Sequence, residues 1–147
     1  MKTFNTLLLI SYAVASTLPN AFAQPESKPV DPCSLLTKAE AAAVMGEIKD
    51  EPASKDGLRG KKCSYNNVAG AWVTIELYSA DAHWDLMKNF AVDVKEMTGL
   101  GDAAFSAKRG DTRQVYIKKG ASMLEVDSSA GLDAAQRAAA IAVKRLP

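Results

Sequence analysis

Trp72-Val73-Thr74-Ile75-Glu76-Leu77-Tyr78 alternates aliphatic and polar or aromatic residues over seven positions, the period of an extended strand with one face against a core. Val73, Ile75 and Leu77 form the core-facing set. Trp72, Thr74, Glu76 and Tyr78 then share the opposite face, where an aromatic-bearing surface with polar handles offers a candidate binding surface. A shift of period follows directly. From Asp81, read as an N-cap, apolar Trp84, Met87, Phe90, Ala91 and Val94 recur at helical spacing, which predicts the principal amphipathic helix, ending before Gly99. Strand followed by helix at this boundary sets the fold class.

Upstream, Cys63-Ser64-Tyr65 reads as a partner strand joined to Trp72–Tyr78 through Asn66-Asn67 and Gly70. Residues 49–61 mix Lys, Asp, Glu, Gly and Pro without period and read as a mobile surface loop. Its basic cluster, Arg59, Lys61 and Lys62, reads as solvated. Thr37-Lys38-Ala39-Glu40 is a capping box that opens a short Ala-rich helix closed by Gly46. Downstream, Thr98-Gly99-Leu100-Gly101-Asp102 is a turn. Three short strands follow at Ala103–Lys108, Gln114–Lys119 and Ser122–Asp127, with Arg109-Gly110-Asp111 and Lys119-Gly120 between them. Asp133 is read as the cap of a last helix whose inward face includes Ala134, Ala138, Ile141 and Ala142. The expected fold is therefore α+β: an antiparallel sheet of about five strands, helices packed mainly on one face, in the order αββαβββα.

The first 23 residues read as a secretory signal peptide: Lys2 is followed by an apolar run from Leu7 to Ala15 and an A-x-A site at Ala21-Phe22-Ala23. That run is much shorter than the roughly 20 residues of a spanning helix, so no transmembrane anchor is expected after cleavage. Residues 24–30 read as an extended leader and 31–147 as one domain. The chain holds 18 basic and 17 acidic side chains, and losing Lys2 leaves 17 of each. Such balance argues against a nucleic-acid partner, which calls for a cationic surplus. The two cysteines, Cys33 and Cys63, are expected to pair in an oxidising compartment, closing a loop that contributes roughly 3 kcal/mol.

Asp31-Pro32-Cys33-Ser34-Leu35-Leu36-Thr37, then Cys63-Ser64-Tyr65, then Gly99-Leu100-Gly101-Asp102-Ala103-Ala104-Phe105, in that order, resemble a family of small exported bacterial envelope domains of unknown function, many of them lipoproteins. This chain departs from the lipoprotein members by having no Cys at its cleavage point. The resemblance implies a Cys33 to Cys63 bridge and a recurring Gly-Leu-Gly-Asp turn, and it brings no catalytic residues with it.

No motif specifies chemistry. His83 is the sole histidine, which leaves a His-based metal site short of ligands, and no G-x-S-x-G elbow gives it a serine partner. Gly99-x-Gly101 precedes a strand instead of opening a helix and lacks nucleotide-loop spacing. No catalytic, metal or cofactor-binding residue is therefore assigned. The expected function is a soluble periplasmic or secreted non-enzymatic domain that binds another envelope or secreted protein, with an inhibitor or immunity protein as its sharper subtype. An envelope-acting hydrolase and a carrier of a small apolar ligand are the alternatives.

Overall fold

A computed structural model describes residues 29–147 of the chain. The segment read as a signal peptide and most of that read as a leader lie outside the described residues. A 3-10 turn at Pro32–Ser34 leads into α1 (Lys38–Met45), followed by β1 (Ser54–Asp56), β2 (Lys61–Asn66), β3 (Trp72–Ser79), α2 (Ala80–Phe90), β4 (Val92–Met97), β5 (Ala103–Arg109), β6 (Thr112–Lys119), β7 (Ser122–Ser128) and α3 (Leu132–Ala142). The strands form one antiparallel sheet in the order β1-β2-β3-β7-β6-β5-β4. The chain thus builds a three-stranded and a four-stranded half and joins them along β3 and β7.

This corrects the expected αββαβββα arrangement. The sheet has seven strands instead of five, the element order is αβββαββββα, and helices occupy both faces instead of mainly one. Both missed strands are sheet edges. β1 is Ser54-Lys55-Asp56, three exposed polar residues held by pairing with β2. It lies in the segment read as a mobile loop. β4 lies in the segment read as the end of the principal helix. Ala91 leaves the helix with ψ 148°, Asp93 takes φ 55°, and Val92–Met97 pairs with β5. Val94 extends the helical spacing by coincidence, because β-branched residues at Val92 and Val94 favour strand where an unpaired edge is waiting. The helix also starts earlier than expected, with Ser79 at the N-cap and Asp81 in the first turn. Likewise α3 is preceded by Gly131, and Asp133 sits inside its first turn, paired with Arg137 at 3.0 Å.

On the first face, β-strand residues Tyr65, Val73, Ile75, Val115, Ile117, Leu124 and Val126 are buried beneath α1 and α3. The alternation read in β3 places Val73 and Ile75 here as expected. Five buried alanines of α3 present little bulk, so the helix lies close to the sheet. The capping box forms as read: Thr37 Oγ1 accepts from the Glu40 amide at 3.3 Å and the Thr37 amide donates to Glu40 Oε2 at 2.9 Å. Cys33 and Cys63 are bonded, with Cα atoms 5.1 Å apart, tying the N-terminal turn to β2. Beside the bridge, the buried Tyr65 hydroxyl donates to the Leu36 carbonyl. The Gly-Leu-Gly-Asp turn is locked at Gly101, where φ is 60° and a Cβ would stand 2.5 Å from the Lys118 carbonyl oxygen. Asp102 then accepts from the Gly120 amide at 2.7 Å, fastening the start of β5 to the β6–β7 turn.

Candidate functional site

The second face is built differently. α2 lays Trp84, Met87 and Ala91 over Tyr78, Phe105, Tyr116 and Met123. The Phe105 and Tyr116 rings stack at 4.7 Å, and Trp84 meets Phe105 edge-on at 5.2 Å. This helix covers only part of the face. Of the four residues expected to share it, Tyr78 is buried beside α2 and Glu76 is buried beneath the β1–β2 turn, while Trp72 and Thr74 stay half-exposed. The set is on one face, as alternation requires, but only its Trp72 end is open to a partner.

Glu76 and Glu125 lie directly opposite each other on β3 and β7. Two like charges in that register repel. The chain resolves the repulsion with Arg59, carried in by the turn between β1 and β2. Arg59 Nη2 donates to Glu125 Oε2 and stands 3.8 Å from Glu76 Oε2, while the Arg59 backbone amide donates to Glu76 Oε1 at 2.9 Å. The turn can come this close because residue 60 is glycine: a Cβ there would lie 2.1 Å from the Leu77 carbonyl oxygen. Arg59 is therefore not solvated as expected; its side chain is 17% exposed. Lys61 is exposed and Lys62 half-exposed, as a solvated cluster predicts.

Glu125, 3% exposed, is held from every side. Arg109 Nη2 and Gln114 Nε2 each donate to Oε1 at 2.9 Å, and the Tyr78 hydroxyl donates to Oε2 at 2.8 Å. Such complete satisfaction is what makes a carboxylate tolerable in a sheet interior. Burial pushes the Tyr78 and Tyr116 hydroxyls well above the ordinary range, and the Glu125 charge pushes them further. Burial works against the charge on Arg59 and Arg109, yet Glu125 raises both guanidinium groups above their ordinary value. Arg109, read as part of the turn between two strands, is the last residue of β5, and its half-exposed side chain reaches back to Glu125.

Two grooves flank this cluster. One, of about 540 Å³, runs between the end of α2 and the β5–β6 turn, with Met87, Phe90, Ala91 and Val92 as its wall and Arg109, Gln114 and Tyr116 at its floor. Phe90 and Val92 are 77% and 66% exposed. The other, of about 230 Å³, lies at the Trp72 end between Lys62, Thr74, Glu76, Asp127 and Arg109. His83 is in neither lining: its Nδ1 is 3.1 Å from the Ser79 carbonyl oxygen and its ring meets Tyr78 edge-on. Among the described residues no group of three or more His, Cys, Asp or Glu is placed to hold a metal ion.

The signal for the buried cluster was present in the sequence as isolated charges inside apolar strands, Ile75-Glu76-Leu77 and Leu124-Glu125-Val126. Their counter-ion is 66 residues from Glu125, and no local pattern connects it.

No model of a known protein family matches the chain, and no curated protein matches it. Among solved structures, that of a GTP binding regulator from Thermotoga maritima is similar at TM-score 0.48 and 12% identity, over 74% of this chain and 88% of that one. A likeness this distant carries no argument about fold or activity.

Proposed function

We propose that the chain is an exported, non-enzymatic binding protein that docks another envelope or secreted protein against the second face of its sheet. The observation that supports this reading is the groove at the end of α2, where Phe90 and Val92 stand exposed beside a floor in which Arg109 and Gln114 are hydrogen-bonded to Glu125. Aromatic residues such as Phe90 are enriched at the cores of protein interfaces. Leu58, on the turn that carries Arg59 and within the segment closed by the disulfide, is 92% exposed but is not part of this groove's lining.

Export rests on the A-x-A site at Ala21-Phe22-Ala23, with cleavage near Ala23 releasing the domain to the periplasm or beyond. The Cys33–Cys63 bond suits such an oxidising compartment, and no helix among the described residues is long and apolar enough to cross a membrane. The resemblance to small exported envelope domains fits the same reading.

The test is capture of a stoichiometric partner from envelope extract by the mature protein and by a Phe90→Ser, Val92→Ser double variant. Both side chains are exposed, so circular dichroism should report an unchanged fold. Partner affinity is expected to drop at least tenfold. Equal capture by the two proteins would remove this groove from the interface.

A further inference from the structure

The smaller groove has a chemistry of its own. With Arg59 behind it, its lining carries both signs in balance: Lys62, Arg59 and Arg109 stand against Glu76, Glu125 and Asp127, and Glu125 is the most deeply buried of them. A cation entering the groove meets positive side chains, and an anion meets negative ones. Balanced donors and acceptors instead suit hydroxyl groups, which both donate and accept. Asp127 keeps acceptor capacity for such a group, since its nearest cation, Arg109 Nη1, is 3.7 Å from Oδ2, beyond hydrogen-bond distance. Arg109 is half-exposed and uses only Nη2 for hydrogen bonds to Glu125 and Tyr116, which leaves other N–H donors on the groove side.

Trp72 supplies the remaining requirement. It begins β3 on the same face as Thr74, one strand from Asp127, and stands half-exposed at the groove's rim. An indole offers a flat apolar surface. A volume of about 230 Å³ falls below the roughly 300–1,000 Å³ of drug-sized sites and suits a single ring. The ligand class that combines a C–H face with a rim of uncharged hydroxyls, at this size, is a neutral pyranose.

We propose that the groove between Trp72 and Asp127 binds one neutral pyranose residue of an oligosaccharide, the sugar's C–H face on Trp72 and its hydroxyls on Asp127 and Arg109. The site shares Arg109 with the Phe90 groove but does not depend on the protein-docking reading.

The experiment is an NMR titration of the oxidised, isotope-labelled domain with four trisaccharides of similar size: maltotriose and triacetylchitotriose as neutral probes, trigalacturonate as an anion and chitotriose as a cation. At least one neutral probe is expected to shift the Trp72 indole N–H and the Thr74 and Asp127 amides, with both charged probes at least threefold weaker. Trp72→Ala should weaken that binding at least tenfold and Trp72→Phe by less, the spectra themselves reporting an intact fold. Asp127→Asn should also weaken it, while Phe90→Ser, which tests the other groove, should leave it unchanged. Absence of shifts at Trp72 with both neutral probes, or tighter binding of a charged probe, would overturn the proposal.

Discussion

The two faces of this sheet are closed by opposite means. On the first, β-strand aliphatic residues meet α1 and the alanine surface of α3, and the Tyr65 hydroxyl is a buried polar group anchored on the Leu36 carbonyl. On the second, a single helix covers the Tyr78 side, and the middle is closed by Glu125, two arginines, a glutamine and two tyrosines. Apolar packing is forgiving because it has no direction. A buried charge network is not, since each member depends on the others being present. Both grooves described above lie on the second face, where a polar interior can run out to a polar rim, whereas the first face ends where its helices end.

The largest effect should come from removing the centre of the network. Glu125→Ala leaves Arg59 and Arg109 facing each other without their shared carboxylate, and a loss of about 3–5 kcal/mol is expected in urea unfolding. A loss below about 1 kcal/mol would break the comparison by showing that the network adds little to the fold. The first face should respond more mildly to an equivalent question. Tyr65→Phe removes the hydroxyl while keeping the ring, and costs about 1–2 kcal/mol through the unpaired Leu36 carbonyl. That hydroxyl has its acidity suppressed by burial, to a pKa of about 12, so spectroscopic titration should find it silent until well above the range of an exposed tyrosine.

The smallest effect sharpens the comparison at the rim of the first face. Arg145 hydrogen-bonds Glu40 through both carboxylate oxygens at 2.7 Å, and that contact, with the Thr37 amide, lowers the Glu40 pKa from 4.5 to about 2. A carboxyl group depressed in the folded state contributes stability fully above its unfolded value near 4.5 and loses it as pH falls through about 2. Comparing urea midpoints at pH 5 and pH 2, Glu40→Gln should lose less stability on acidification than the native chain. An identical loss in both proteins would assign the acid sensitivity elsewhere.

What the sequence revealed follows the same division. Every element facing the first side was readable, because alternation in Val73-Thr74-Ile75, the Thr37 to Glu40 capping box and the alanine spacing of α3 are local patterns. The edges were not. Ser54-Lys55-Asp56 has nothing apolar to report, and Val92–Met97 is exposed along almost its whole length, so neither buries a face that would impose a period. At the candidate site, alternation correctly grouped Trp72, Thr74, Glu76 and Tyr78. It could not tell which of them the β1–β2 turn and α2 would cover, because both come from elsewhere in the chain. Arg59 shows the limit most clearly: in composition it belongs to a charged loop, and only the pairing of Glu76 with Glu125 gives it an interior address.

The edge strand β4 has a consequence for crowded surroundings. Between Val92 and Lys95 its register slips, Asp93 turns to a positive φ, and the Asp93 carboxylate is held by Arg113 at 2.9 Å. A neighbouring molecule that tried to add a strand there would find amide and carbonyl groups out of step. At the far margin β1 offers only three residues. Growth of one molecule's ladder onto the next is thus frustrated at both ends of the sheet.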